Sequence, residues 1–356
     1  MKNKSKSIFY FVGALLMLLL IILFIIDTTG ISKAVYDSLI NCIVIIIPSL
    51  FAFMVLSSFI ISTGLYKIIF KPLIFILKKL LKINEHQSAI FILSILGGYP
   101  IGAKLISQSL KDNTLKEAEA RKMMSYCYAA GPSFITAIVG TNVFGSIKAG
   151  IIIYLSNILA CFIMAFFINI KNKPNKTKIK TSIYISEEKL ITAIISSAKA
   201  LFEICALIVG FSIIIRIISY LPIKKISDLM NISFQNLSAF IASLTEISNI
   251  STFSPNINLL PMLSALLSFG GICVLMQVKN ILKNNLIIKT FIIYRIICAA
   301  LSALFTYIYI KFANPVITTS NEINVFFTQA RSIIPSICLI FMTIIFLISL
   351  KPEHFK

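Results

Sequence analysis

The chain has 356 residues, 58% of them hydrophobic and only 13% charged, with a formal charge of +20 from 33 Lys and Arg against 13 Asp and Glu. A soluble globular domain carries roughly a quarter charged residues, so the composition excludes one and points to an all-α polytopic membrane protein. The apolar runs are continuous, without the period-2 alternation of a β-barrel. The excess positive charge fits cytoplasmic loops or an anionic substrate or lipid, and no motif supports nucleic-acid binding.

Lys2, Lys4 and Lys6 precede an apolar run over 8–26, long enough to cross ~30 Å of hydrocarbon at ~1.5 Å per residue. Asp27-Thr28-Thr29-Gly30 is not a small-x-small cleavage site, so the run reads as a first spanning helix, N-terminus inside, rather than a signal peptide. Residues 1–38 form this unit. A second run, 39–62, contains Pro48, which predicts a kink or a helix start there. Residues 66–82 then set Lys67, Lys71, Lys78, Lys79 and Lys82 among Ile, Phe and Leu, the pattern of an amphipathic helix on the cytoplasmic surface.

Residues 88–96 are too short to span. They lead into Gly97-Gly98-Tyr99-Pro100-Ile101-Gly102-Ala103-Lys104 and an apolar turn to Leu110, which together predict a re-entrant hairpin near 88–110. Backbone broken in this way is tolerated at membrane depth only where it is buried in protein or lines a wet cavity. Thr114-x-x-Glu117 predicts a capping box for a helix entering 123–128. That helix is interrupted at Ala129-Ala130-Gly131-Pro132-Ser133 and resumes over 134–144, and 149–170 reads as a spanning helix.

The polar, basic stretch 171–189 reads as a cytoplasmic linker between halves at 39–170 and 190–312. Residues 190–221 are too long for one untilted span, so the part up to Lys199 is expected at the interface. Glu203 follows Lys199 by four residues, a spacing that fits an intrahelical pair as well as a site. Arg216, near a helix end, reads as structural. Residues 234–253 hold Leu244-Thr245-Glu246-Ile247-Ser248-Asn249, and 259–278 hold Gly270-Gly271 and Gln277, so a second hairpin is expected near 234–278. Residues 286–310 span and contain Arg295. A last span over 333–350 lies in a C-terminal unit, 313–356.

Placing Gly97-Gly98 on Gly270-Gly271 sets Lys104 opposite Gln277, a repeat at the level of hydropathy. Two interrupted apolar segments at matching positions of two halves are the sequence pointer to a transporter's binding site. An odd number of spans between them would invert the second half, although Lys224, Lys225, Lys279, Lys283 and Lys289 would then lie outside, against the usual charge bias.

Glu246 is the sharpest candidate, because a carboxylate in an apolar run is costly and faces the bundle interior or water. It could bind a coupling cation, relay a proton, or accept the N–H groups of a broken helix. Arg295 could pair with Glu246, receive a substrate carboxylate through its fork, or snorkel. Lys104 could add a point charge to the free N–H groups of a half-helix beginning near Pro100, or face the cytoplasm. Gly131-Pro132 and Gly270-Gly271 either line the same cavity or let helices pack closely. The seven cysteines stand singly in apolar stretches and the two histidines, His86 and His354, lie outside them, so neither a metal site nor a disulfide framework is expected. With no His-Glu-x-x-His and no nucleotide-binding loop, an enzyme is not expected, nor any cofactor. Oligomeric state stays open, a homo-oligomer included.

Gly98-Tyr99-Pro100-Ile101-Gly102-Ala103-Lys104 resembles the SGYPxGAK signature of the YlbJ-type sporulation integral membrane proteins, also called stage V sporulation protein V. Ala130-Gly131-Pro132-Ser133-Phe134-Ile135 with Val139-Gly140, then Leu244-Thr245-Glu246-Ile247, then Ser268-Phe269-Gly270-Gly271 with Gln277-Val278, resemble the further motifs of that family, in order, over roughly residues 40–310. Leu275 stands where the family pattern has His, and Asn249 is without the glycine expected near the glutamate. The resemblance implies a nucleoside-recognition or gate-type fold, similar to the membrane halves of concentrative nucleoside carriers. It also implies a role in endospore formation, with dipicolinate as the small anion moved across the outer forespore membrane. A non-transporting membrane scaffold or assembly factor, and a nucleoside-type carrier, are the alternatives.

Overall fold

The computed structural model describes residues 11–170 (positions 12, 16, 19 and 20 apart), 183–282 and 288–313, and among these every regular element is helical. The expected last span over 333–350 and most of the linker lie outside the described residues. Among the described residues five helices are long and apolar enough to cross a membrane: Thr28–Thr63, Ile147–Asn169, Glu187–Ile218, Ile257–Leu282 and Ile288–Phe312. The chain is therefore an integral membrane protein.

Helix α1 (Thr28–Thr63) starts at Asp27, whose carboxylate accepts from the Gly30 N–H at 3.2 Å. It passes through a π-helical turn, Cys42–Ile46, just before Pro48. The wider turn makes room for the proline ring, which clashes with the carbonyl four residues back in a regular helix. Pro48 thus neither starts a helix nor breaks one. Gly64 ends α1 in the left-handed region at φ 78°. Helix α2 (Lys71–Leu81) follows, buries Ile74, Leu77 and Leu81, and leaves Leu73, Phe75, Ile76 and Leu80 exposed.

The first hairpin is α3 (Glu85–Gly97) and α4 (Tyr99–Lys111). Asn84 and Gln87 form a reciprocal capping box at its start. Gly98 joins the two helices at φ 95°, ψ −177°, a conformation open only to glycine. Pro100 sits in the first turn of α4, where its missing N–H costs nothing. His86 Nε2 meets Ser109 Oγ at 2.9 Å, so both ends of the hairpin lie together and the glycine break is its tip.

Helix α5 (Glu117–Met124) begins two residues later than Thr114 would place it. The Lys116 N–H donates to Glu119 Oε2 at 3.0 Å, while the Thr114 hydroxyl donates to Ser109 O at 3.1 Å. The chain then unwinds over 125–131 and restarts at Pro132, running into a π-helical stretch, Ile135–Val143. Helix α6 (Ile147–Asn169) crosses back to the end of α2, where Lys82 Nζ donates to Ile170 O at 2.8 Å.

Helix α7 (Glu187–Ile218) is one unbroken 32-residue helix, so the separate interfacial part expected up to Lys199 does not exist. Its Ser186 cap and first-turn acids start it, and Gly210, the one Gly or Pro inside it, has open space around it and does not break it. It runs antiparallel to α1. Arg216 bonds Asp27 at one end, while Lys189 Nζ donates to Ser62 O and the Tyr184 N–H to Thr63 O at the other. Arg216 is thus half of an ion pair.

Helix α8 (Ile223–Met230) leads to α9 (Phe234–Thr245), the tip residue Glu246, and a 3-10 turn, Ile247–Thr252. Gln235 Nε2 donates to Thr252 O at 3.2 Å and the Ser254 N–H to Asn236 Oδ1 at 3.2 Å. The second hairpin therefore closes by Ser254, and the stretch 257–282 is a separate broken span made of α10 (Leu260–Phe269) and α11 (Gly271–Leu282). Helix α12 (Ile288–Ala313) packs on α10 and α6. Ser264, Ser302 and Thr306 bond one another across the α10–α12 contact.

Each half runs in the same order: long helix, short amphipathic helix, hairpin, broken segment, span. That order sets the Gly98 tip against the Glu246 tip and Gly131 against Gly270. The pairing of Gly97-Gly98 with Gly270-Gly271 expected from hydropathy is not the one the elements give, because hairpin 2 has a carboxylate at its tip in place of a glycine pair.

Candidate functional site

The two halves meet at their breaks. Tyr99, in the first turn of α4, donates its hydroxyl to Leu267 O, and Tyr128, in the unwound stretch after α5, donates to Phe269 O at 3.0 Å. These carbonyls close α10, where the helix leaves its last acceptors without intrahelical donors. The two rings lie 4.8 Å apart, and Phe291 of α12 meets Tyr128 edge-on at 5.4 Å.

Three glycines let these backbones touch. At Gly98 a methyl group would stand 3.0 Å from Gly131 N, and at Gly271 2.9 Å from Ser243 O. At Gly270, held at φ 88°, it would overlap the Tyr128 hydroxyl. Gly97 and Gly131 likewise lie against each other, and Gly102 has no room for a methyl group beside Cys127 O. In this conformation the glycines serve close approach of the breaks.

Arg295 is completely buried. Its guanidinium donates to Tyr128 O at 2.7 Å, to Ser125 O, and to Cys298 Sγ at 3.3 Å, and it lies 4.7 Å over the Tyr128 ring. It therefore supplies donors to the carbonyls that the unwound stretch leaves without helical partners. Its Nε–H has no partner among the described residues.

Glu246 takes the third role open to it. Both carboxylate oxygens accept from the Ser248 N–H at 3.1 Å, the Ser248 hydroxyl donates to one of them, and Asn249 Nδ2 donates at 3.2 Å. It caps the returning 3-10 turn of hairpin 2 and does not pair with Arg295. Lys104 points away from the breaks into the seam between α4 and the α1–α7 pair, where it donates to Met54 O at 3.3 Å, Ser58 Oγ and Ser197 Oγ. Gln277, in the same core, donates to Cys273 Sγ at 3.4 Å. Glu203 accepts from Asn280 Nδ2 at 2.9 Å, and among the described residues it forms no ion pair with Lys199.

Tyr99, Gly98, Gly131, Gly270 and Arg295 thus converge, with Gly97, Pro100, Gly102, Pro132 and Gly271 supporting the same contacts. Glu246 and Gln277 sit beside the second break, and Lys104 stands apart. Tyr128, which touches both halves, is the residue that sequence reasoning missed. Its only local signal is its place two residues before Ala130-Gly131-Pro132.

Fold and site together define a polytopic helical membrane protein whose core is built from two hairpins and two broken segments meeting tip to tip. No family model and no solved structure matches the chain. It is similar to the sporulation integral membrane protein YlbJ of Bacillus subtilis (strain 168), 22% identical over 297 residues that cover 73% of each chain. The chain is a distant relative of the YlbJ-type proteins, in line with the motifs at Gly98, Gly131, Glu246 and Gly270.

Proposed function

We propose that the protein is a permease for a small organic anion that acts in sporulation, moving dipicolinate across the outer forespore membrane. The observation that carries this reading is the meeting of the first hairpin's tip and the unwound stretch after α5 with the second broken span, at Tyr99–Leu267 and Tyr128–Phe269. A membrane scaffold has no need of interrupted helices at its centre, whereas a carrier uses them to present free backbone groups to its cargo. Arg295 is the cation at this centre. A planar anion entering between the breaks would take over its fork and the two tyrosine hydroxyls, all now occupied by backbone carbonyls. The halves are related as inverted copies in this reading. The antiparallel course of α1 and α7 supports that relation, since it sends α2 and α8 to opposite ends of the bundle.

The reading is tested by equilibrium dialysis of labelled dipicolinate against the purified protein. Saturable binding by the wild type, weakened about tenfold or more in Arg295→Lys by loss of the bidentate fork, is expected. No saturable binding by well-folded wild-type protein would overturn it.

A further inference from the structure

Lys104 is the one buried lysine of the first hairpin, and the breaks do not use it. Its side chain is 5% exposed and, among the described residues, makes no ion pair. An unpaired charge at such depth is costly and marks a working residue more often than a structural one. Its three partners come from outside the hairpin: Met54 O and Ser58 Oγ on α1 and Ser197 Oγ on α7. One turn further along α4, Gln108 Nε2 donates to Ser58 O at 3.3 Å. The α1–α7 pair is itself tied at both ends, by Asp27–Arg216 and by Lys189–Ser62. Lys104 is therefore where hairpin 1 grips a fixed pair, toward its Lys189–Ser62 end.

We propose that Lys104 is the proton-binding group that couples hairpin 1 to the α1–α7 pair. The inference rests on the transport reading and deepens it by naming the proton as the coupled species. The ammonium has three N–H donors, and the seam offers three acceptors. When the proton leaves to water, the amine keeps two donors and gains a lone pair. The Ser58 hydroxyl, which donates to no other acceptor among the described residues, can then donate to that lone pair. Ser197 cannot do so without giving up its own bond to Ala193 O at 2.6 Å. Both forms make three hydrogen bonds, but in the neutral form none of them is charge-assisted, which loosens the grip.

The other titratable groups on the elements around α4 have partners or positions of their own. His86 bonds Ser109, Glu203 accepts from Asn280, Arg121 pairs with Glu117, and the Cys273 sulfur accepts from Gln277 Nε2. Lys199 and Lys279 are exposed.

Hydrogen exchange of the full chain in nanodiscs, followed across 99–111 from about pH 6 to about pH 9.5, tests this on either side of a lysine titration that depends on its surroundings. Protection factors in the wild type should fall about tenfold or more as pH rises, the worth of a charge-assisted hydrogen bond. Lys104→Arg should stay protected throughout, and Lys104→Met should be unprotected throughout. Wild-type protection that does not change with pH, or a Lys104→Arg variant that changes as the wild type does, would overturn the inference even if Lys104→Met fails to fold. Because no substrate is involved, a protein that shows this titration yet does not bind dipicolinate would defeat the transport reading alone.

Discussion

Arg295 and Tyr128 hold the centre of the molecule together. The guanidinium donates to the Tyr128 carbonyl at 2.7 Å and also covers the face of its ring at 4.7 Å, while the Tyr128 hydroxyl reaches Phe269 O in the other half. One tyrosine thus links an unwound segment of the first half, a broken span of the second, and the helix that packs on both. Through these contacts the freed backbone groups at the breaks find donors inside the protein, as lipid surroundings require.

Removing the guanidinium should therefore cost more than removing an ordinary buried side chain. Arg295→Met leaves the Ser125 carbonyl without a donor and the Tyr128 carbonyl with only the weak Cys161 thiol at 3.5 Å, and should destabilise the protein by roughly 2–4 kcal/mol. Arg295→Lys keeps the charge but loses the fork and the ring contact, and should fall between. Thermal unfolding in detergent measures both, and a Met variant as stable as wild type would contradict the clamp.

The glycines separate by position. Gly98→Ala forces a side chain into a left-handed conformation 3.0 Å from Gly131 N and should cost roughly 1–3 kcal/mol. Gly210→Ala, in open space within α7, should be neutral or stabilising by up to ~1 kcal/mol. If both behave alike in the same unfolding experiment, the close approach of the breaks is not what holds Gly98 in place.

Glu246 acts as a cap. Glu246→Ala should lose about 1 kcal/mol of stability, and Glu246→Gln, which keeps one acceptor oxygen for the Ser248 N–H, should lose less. If the carboxylate instead carried a proton or a cation through the cycle, Glu246→Gln would abolish uptake at unchanged stability. Measuring uptake and unfolding on the same preparation separates the two.

The Asp27–Arg216 pair gives a defined pH dependence. The guanidinium at 2.6 Å holds the Asp27 carboxyl down from 3.8 to about 2. The folded value lies below the ordinary one, so the pair's contribution is complete above about pH 4 and lost as pH falls through about 2. The effect is small, because Arg216 is 39% exposed and solvent screens it. The difference in unfolding temperature between wild type and Asp27→Asn should be constant from neutral pH to about 4 and vanish toward about 2. A difference that grows on acidification would contradict the ion pair.

The sequence showed the breaks because Gly and Pro act locally. Gly98 needs its positive φ and Pro100 its first-turn place whatever surrounds them, and both are visible without any neighbour. Arg295 and Glu246 stood out because charge is rare in apolar text, but their partners did not. The Arg295 acceptors are carbonyls about 170 residues away (167 for Tyr128, 170 for Ser125), and a carbonyl has no sequence signature. Lys104 misled for the same reason, since its spacing from Pro100 fixes a helix face but not which helix packs there. The extent of hairpin 2 depended on Gln235 and Asn236 meeting Thr252 and Ser254, ordinary polar residues near an interface. Tyr128 read as one more aromatic in an apolar run.

The most direct test of a carrier centred on these breaks is uptake of labelled dipicolinate into proteoliposomes holding the full chain. Wild type should accumulate label above empty vesicles, saturably and in competition with unlabelled dipicolinate. Tyr128→Phe, which removes only the hydroxyl donated to Phe269 O, should change the uptake rate without unfolding the protein. Label entering wild-type vesicles no faster than empty ones, with the protein shown to be folded, would contradict the account.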